Sequence, residues 1–228
     1  STYAAPTLAK GLTGITRVHA GGYSVCGTKS DGSVYCWGWN GRGQAGIGKT
    51  SGKVTTPAKV ANLTDATDVT AGYGYACATR KTGATACWGG SSVGELNTVT
   101  SSYTTTPKTV PGLPTMRHLR ALRRHTCGIA EGGQVRCWGG NAAGETGQGT
   151  IGASAKAAPT FGGWTGVAVD AGYAHACGLK GDGSVWCWGN NSSGQLGDGT
   201  TTSSTRPVRV ALIDDATAVS AGGFHTCA

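Results

Sequence analysis

Nine cysteines and three histidines stand at spacings that can do chemistry. The cysteines fall in pairs ten residues apart, Cys26 and Cys36, Cys77 and Cys87, Cys127 and Cys137, Cys177 and Cys187, with Cys227 left over. His125, His175 and His225 each sit two residues before the first cysteine of a unit. Residues two apart on a strand share a face, so histidine with cysteine offers the donors of a zinc site, while the cysteines alone offer disulfides. The units discriminate between the two. The first two carry Ser24 and Tyr75 in place of histidine yet keep both cysteines, so the pair works without an imidazole. The expectation is four disulfides, one per unit, with Cys227 unpaired, no metal and no cofactor, in an oxidising compartment.

The turn between the cysteines supports that pairing. "GTKSDGSVY" breaks at Ser30-Asp31-Gly32, which fits a three-residue hairpin loop with Gly32 in the left-handed region. Lys81-Thr82-Gly83, Glu131-Gly132-Gly133 and Gly181-Asp182-Gly183 fit the same loop. With Lys29 opposite Ser33, counting back puts Cys26 directly across from Cys36. Facing Cα atoms on antiparallel strands lie about 4.5–5.5 Å apart, within disulfide reach.

The elements that carry these pairs repeat along the whole chain. From first cysteine to first cysteine the interval is 51, then 50, 50 and 50 residues. Every second cysteine opens Cys-Trp-Gly, a glycine follows it by seven residues (Gly43, Gly94, Gly144, Gly194), and an alanine precedes each first cysteine by six (Ala20, Ala71, Ala121, Ala171, Ala221). Besides the hairpin, each unit has room for a strand around its proline ("TTPAKVANL", "TRPVRVALI") and one entering the alanine ("ATDVTAG", "ATAVSAG"). Four short antiparallel strands per stacked unit describe a β-propeller blade. The sequence therefore predicts an all-β propeller of four-stranded blades in a single repeat domain spanning 1–228. The repeats run over 1–51, 52–101, 102–151, 152–201 and a partial 202–228. A parallel β-helix repeats in shorter rungs, and no 3.6-residue apolar period supports helical repeats.

Composition agrees. Glycine makes up 41 of 228 residues and only 13 % are charged, as tight turns between short strands require. Seven Trp and seven Tyr in a periodic pattern argue against disorder. No apolar run approaches the roughly 18 residues of a membrane helix, so membrane insertion is not expected.

The recurring alanine-glycine, His-Thr-Cys or His-Ala-Cys, Asp-Gly-Ser-Val, Trp-Gly, and Gly-Gln-Leu-Gly-Asp-Gly-Thr at 194–200 resemble the repeats of the regulator of chromosome condensation family. That resemblance covers essentially the whole chain and implies part of a seven-bladed propeller. The cysteine pairs depart from the nuclear members and look like those of secreted bacterial relatives, which sets aside the founding member's guanine-nucleotide exchange. A secreted member that inhibits β-lactamases implies action by binding. Seven units of about 50 residues need roughly 350, so the chain is expected to be an excerpt, or to be closed or self-associated through open blade edges.

For site residues, the recurring Trp37, Trp88, Trp138 and Trp188 read as blade packing, whereas Trp39, Trp164 and Trp186 do not recur and read as candidates for an exposed contact. The third unit departs most: "LRALRRHTC" replaces the usual glycines, and Arg117, Arg120, Arg123, Arg124 and Arg136 fall within 20 residues beside His118. The unchanged alanine-to-cysteine spacing makes "MRHLRALRRH" a strand with a turn rather than a helix. These arginines account for much of the formal charge of +8 and suit an acidic partner, because a guanidinium fork holds carboxylates. Nucleic acid fits poorly with the oxidising compartment. No linear motif of catalysis is present. The expectation is a secreted, extracellular or cell-surface protein that binds another protein through loops without catalysis. A structural role in an assembly and glycan binding are the alternatives. Asn62, Asn190 and Asn191 match glycosylation acceptors.

Overall fold

The computed structural model describes residues 8–97 and 102–228 and contains four complete antiparallel sheets and a partial fifth. Blade one comprises β1 (Ile15–Ala20), β2 (Ser24–Lys29), β3 (Val34–Asn40) and β4 (Ser51–Lys59). Blade two comprises β5 (Ala66–Ala71), β6 (Tyr75–Arg80), β7 (Thr85–Gly90) and β8 (Tyr103–Thr109). Blade three comprises β9 (Met116–Ala121), β10 (His125–Ala130), β11 (Val135–Asn141) and β12 (Gly152–Pro159). Blade four comprises β13 (Ala168–Ala171), β14 (His175–Leu179), β15 (Val185–Gly189) and β16 (Ser204–Arg209), followed by β17 (Ser220–Ala221) and β18 (Thr226–Cys227). In every complete sheet the spatial order follows the sequence order. The first strands of successive blades pack on one another and form the inner wall. This is a β-propeller, about four and a half blades of it. The proline strands and alanine strands fall where the repeat pattern puts them, although the strand expected around Pro6 lies outside the described residues. "MRHLRALRRH" holds β9 and a turn, as its spacing requires.

The hairpin forms as its turn chemistry dictates. Lys29 N–H donates to the Ser33 carbonyl (2.9 Å), Gly32 has φ +85°, and Asp31 Oδ1 accepts from both Ser33 N (2.8 Å) and Ser33 Oγ (2.6 Å). Asp182 and Ser184 repeat that Asp turn in blade four. Counting back from the hydrogen-bonded Lys29–Ser33 pair makes Cys26–Cys36 a non-hydrogen-bonded pair, where strands approach most closely. All four expected disulfides are present, with Cα–Cα separations of 4.2, 4.0, 4.1 and 4.0 Å, and Cys227 is free and exposed. The bonded sulfurs are thereby withdrawn from metal ligation.

Blades lock together through the tryptophan after each second cysteine. Trp88 Nε1 donates to the Gln44 carbonyl (2.9 Å), Trp138 to Glu95 (3.0 Å) and Trp188 to Glu145 (2.9 Å), each acceptor lying in the preceding blade. All three indoles are fully buried, and Trp88 packs against the Cys26–Cys36 face. Covering an indole of 150–250 Å² is worth roughly 4–6 kcal/mol at about 25 cal/mol/Å² before entropy is counted. Trp37, on the outward face of blade one, is half-buried.

The inner wall solves an edge-strand problem. Its strands present unpaired N–H groups toward the preceding blade, and a side chain of that blade accepts them. Ala71 N donates to His19 Nδ1 (3.2 Å), Ala121 N to Thr70 Oγ1 (2.9 Å) and Ala221 N to Asp170 Oδ2 (2.9 Å). Arg120 occupies the fourth such position and has no acceptor to offer. There, Ala171 N donates to Asp170 Oδ1 of its own strand (2.9 Å).

Candidate protein-binding face

Each inner strand ends in a tight turn to the second strand, and these turns cluster at one end of the propeller. They contain Gly21-Gly22-Tyr23, Gly72-Tyr73-Gly74, Leu122-Arg123-Arg124, Gly172-Tyr173-Ala174 and Gly222-Gly223-Phe224. Glycine fills the first position of every turn but the third, and at Gly21 packing requires it: a β-carbon there would lie 2.5 Å from the Gly72 carbonyl of the next turn. Neighbouring turns therefore touch, and Tyr73 N donates to the Arg123 carbonyl (2.8 Å).

The side chains carried by these turns make an arc of two contacting groups, joined through the Tyr73–Arg123 backbone bond. Tyr23 and Tyr73 have ring centroids 5.2 Å apart, Arg123 stacks its guanidinium 4.0 Å above the Tyr173 ring, and Tyr173 meets Phe224 at 5.5 Å. Trp39 extends the arc outward, edge-on to Tyr23 at 6.3 Å. Tyr23 and Phe224 are each 62 % exposed and Tyr173 37 %. None of the five turns contains an acidic residue. The loops after β3, β7, β11 and β15 emerge at the same end and differ from blade to blade.

These loops are braced from within. Gln44, Glu95, Glu145 and Gln195 each turn a side-chain oxygen back onto the N–H two residues earlier, at 2.7–2.9 Å. Asn40, Asn141 and Asn191 are buried and donate to the Lys49, Thr150 and Thr200 carbonyls at 3.0–3.1 Å. Exposed side chains thus stand on a preordered backbone.

The structure separates the arginines that the sequence groups. Arg123 and Arg124 lie in the arc, where the Arg124 carbonyl accepts from Gly140 N (2.8 Å). Arg117 and Arg120 sit at and along β9. Arg120 Nη1 donates to Asp68 Oδ2 (3.3 Å) and to the Leu119 carbonyl (2.7 Å), and Arg117 lines a small cleft of about 130 Å³ with Arg17, Asp68 and His118. His118 has φ +53° within a bulge of β9, and burial together with Arg120 holds its imidazole below the usual histidine range. Arg136 lies on β11 opposite Gly128, sharing the face of Trp138 and remote from the turns. Trp39 stands in the arc and is half-buried. Trp164 does not stand there: it is 8 % exposed and packs on Trp188 at 5.8 Å, because its segment fills the space between blades three and four. Trp186 is half-buried, donates to Ser184 Oγ (3.1 Å) and lies beneath Lys180. Of the glycosylation acceptors, Asn191 is buried within its loop and Asn62 is exposed. The aromatic members of the arc are hard to single out from sequence, since they alternate between two positions of the turn and only neighbouring blades bring them together.

One profile of the regulator of chromosome condensation (RCC1) repeat matches residues 31–79 and 182–228, and a second profile of the same repeat matches 15–44, 123–145 and 167–195. Together they account for more than half of the chain. The chain belongs to the RCC1 repeat family. Among solved structures it is similar to human WBSCR16, at 25 % identity and a TM-score of 0.81, covering 93 % of this chain and 56 % of that one. Yeast RCC1 (Prp20) bound to Kap60 matches at 21 % identity and a TM-score of 0.81, covering 97 % and 54 %. The CRINKLY WD40 ectodomain of the Arabidopsis thaliana receptor kinase ACR4 matches at 22 % identity and a TM-score of 0.56, covering 96 % and 61 %. The chain spans between half and two thirds of the length of these relatives. Yeast Prp20 is seen bound to Kap60, and its binding to Gsp1p and histones is described. No helix among the described residues is long and apolar enough to cross a membrane.

Proposed function

We propose that this RCC1-repeat chain is a secreted or cell-surface binding scaffold, without catalysis, whose turn face docks an acidic surface of another protein. One observation carries the reading. Arg123 is held face-on by Tyr173 at 4.0 Å and makes no ion pair among the described residues, so its N–H edge stands preordered and unspent for a carboxylate. Around it, Tyr23, Tyr73, Tyr173, Phe224 and Trp39 are the residue types that dominate binding energy when covered, and they lose little entropy on docking. Four disulfides on short cross-strand loops support the extracellular setting. An acidic protein surface is preferred to nucleic acid on the same ground.

Photo-crosslinking checks the reading. A benzophenone side chain placed at position 123 is expected to capture a protein from the native extracellular fraction, while one placed at position 181, on the hairpin loops of the opposite end, captures none. Arg123→Ala and Tyr173→Ala should each weaken the captured partner about tenfold, the arginine effect shrinking at high salt. Equal crosslinking from both ends would overturn it.

A further inference from the structure

A cleft of about 550 Å³ opens beside the arc, lined by Tyr23, Gly38, Trp39, Gly52, Lys53 and Tyr73. We propose that this cleft docks a proline-rich, acid-flanked segment of the protein partner in polyproline II conformation. The proposal rests on the reading of the turn face as a protein-binding surface and names the chemistry recognised there.

The cleft is built rather than incidental. Trp39 occupies the position that Gly90, Gly140 and Asn190 take in the other blades. Gly38, at φ +107°, interrupts the β3–β4 register and turns the following side chain toward blade two. One glycine is cleared for the indole: a β-carbon at Gly41 would lie 2.7 Å from Trp39 Cζ2, while the ring's Cζ3 reaches within ordinary contact of Gly74. The rings cross, Trp39 to Tyr23 at 82° and Tyr23 to Tyr73 at 56°, so they form open slots instead of closing on each other. Gly38 and Gly52 keep the floor free of side chains.

Donor and acceptor balance selects the ligand. The two phenol hydroxyls, the Trp39 N–H and the Lys53 ammonium are all unpaired among the described residues, and no carboxylate or carboxamide lines the cleft. It offers donors and apolar ring faces, and few acceptors. A sugar presents as many hydroxyl donors as acceptors and would find only the two phenol oxygens among the lining side chains to accept from it. Proline in polyproline II has no N–H, points its carbonyls outward and presents a flat apolar ring, which is why aromatic-lined grooves take it at little ordering cost. Flanking charge completes the match. Lys53 stands at the rim, the Arg42 side chain packs against Gly74 and Gly90, Arg123 is in the adjoining turn, and none of the five turns carries an acid.

The test uses the whole chain and defined peptides: hexaproline followed by two glutamates, hexaproline alone, a Gly-Ser hexamer followed by two glutamates, and chitohexaose. Calorimetry or NMR titration is expected to show saturable binding of the first, several-fold weaker binding of the second at low salt, and none of the other two. Trp39→Ala should weaken the first at least tenfold, Trp39→Phe only a few-fold, and Arg136→Ala not at all, with unchanged circular dichroism certifying the fold. Absence of saturable binding, indifference to Trp39→Ala, or preferential binding of chitohexaose would overturn the proposal. If the peptides fail while crosslinking from position 123 persists, the proline inference falls alone. If the crosslinking also fails, the reading of the face falls with it.

Discussion

His125 and His175 occupy equivalent positions in blades three and four, at 1 % and 0 % exposure, each on the face that meets the following blade. His175 shares a hydrogen bond with Thr226 Oγ1 at 3.0 Å, and burial pushes both imidazoles down to about 4. His175 is pushed down further by the neighbouring His125 and His225. The folded protein therefore keeps both rings neutral below pH 6.5, where the unfolded chain takes up protons. Stability is complete above the unfolded value near 6.5 and is lost as pH falls toward 4, by up to about 3 kcal/mol per histidine. Thermal melts at pH 7.5 and 5 should show this loss, and His125→Phe should remove about half of the pH slope. An unchanged slope in that variant would assign the acid sensitivity to other groups.

At the scale of the strand, the hairpin carries its own specification. The Asp-Gly turn sets the register, the register brings two cysteines face to face at a non-hydrogen-bonded pair, and the disulfide then restrains an 11-residue loop. Replacing Cys77 and Cys87 together by Ser should cost about 2–3 kcal/mol while leaving the other three bridges formed, read by denaturant titration and non-reducing peptide mapping. The glycine of Cys-Trp-Gly is equally constrained. Gly89 has φ +97°, and a β-carbon there would lie 2.6 Å from both the Gly74 carbonyl and Tyr75 Cα. Gly89→Ala is expected to destabilise by more than about 2 kcal/mol, because strained φ and a backbone clash add. Gly112→Ala, at φ +73° with open space around it, should cost only its strain and serves as the comparison.

Over the whole molecule, each blade touches only its neighbours, so stability is close to a chain of interface terms. Trp138 is one link: its indole fills blade three's face toward blade two and donates to the Glu95 carbonyl. Trp138→Ala should cost about 3–5 kcal/mol. By hydrogen exchange the loss should concentrate in β6, β7, β10 and β11 and spare β2 and β3. Uniform deprotection across all blades would instead indicate a single cooperative unit. The same stacking explains the recognition face, since rings separated by about 50 residues become neighbours once adjacent blades pack.

Repetition made most of the fold legible without coordinates. Intervals of 51, 50, 50 and 50 residues, a turn that sets register and a Cys-Trp-Gly after it imply antiparallel blades and four intra-blade disulfides, because these features depend on contacts within one unit, between residues no more than 24 apart. The candidate site was legible only in part. Trp39 stood out because it breaks the repeat, but Trp164 breaks it too and is core, since its surroundings come from Trp188 in another blade. The five arginines looked like one cluster because they are close in sequence. A strand of six residues is about 20 Å long, so Arg117 and Arg123 end at opposite ends of β9. Arg120 is drawn to Asp68 of the preceding blade, and only Arg123 meets an aromatic partner. Local spacing determines which residues pair across a turn, whereas which side chains share a surface is decided by how one blade lies against the next.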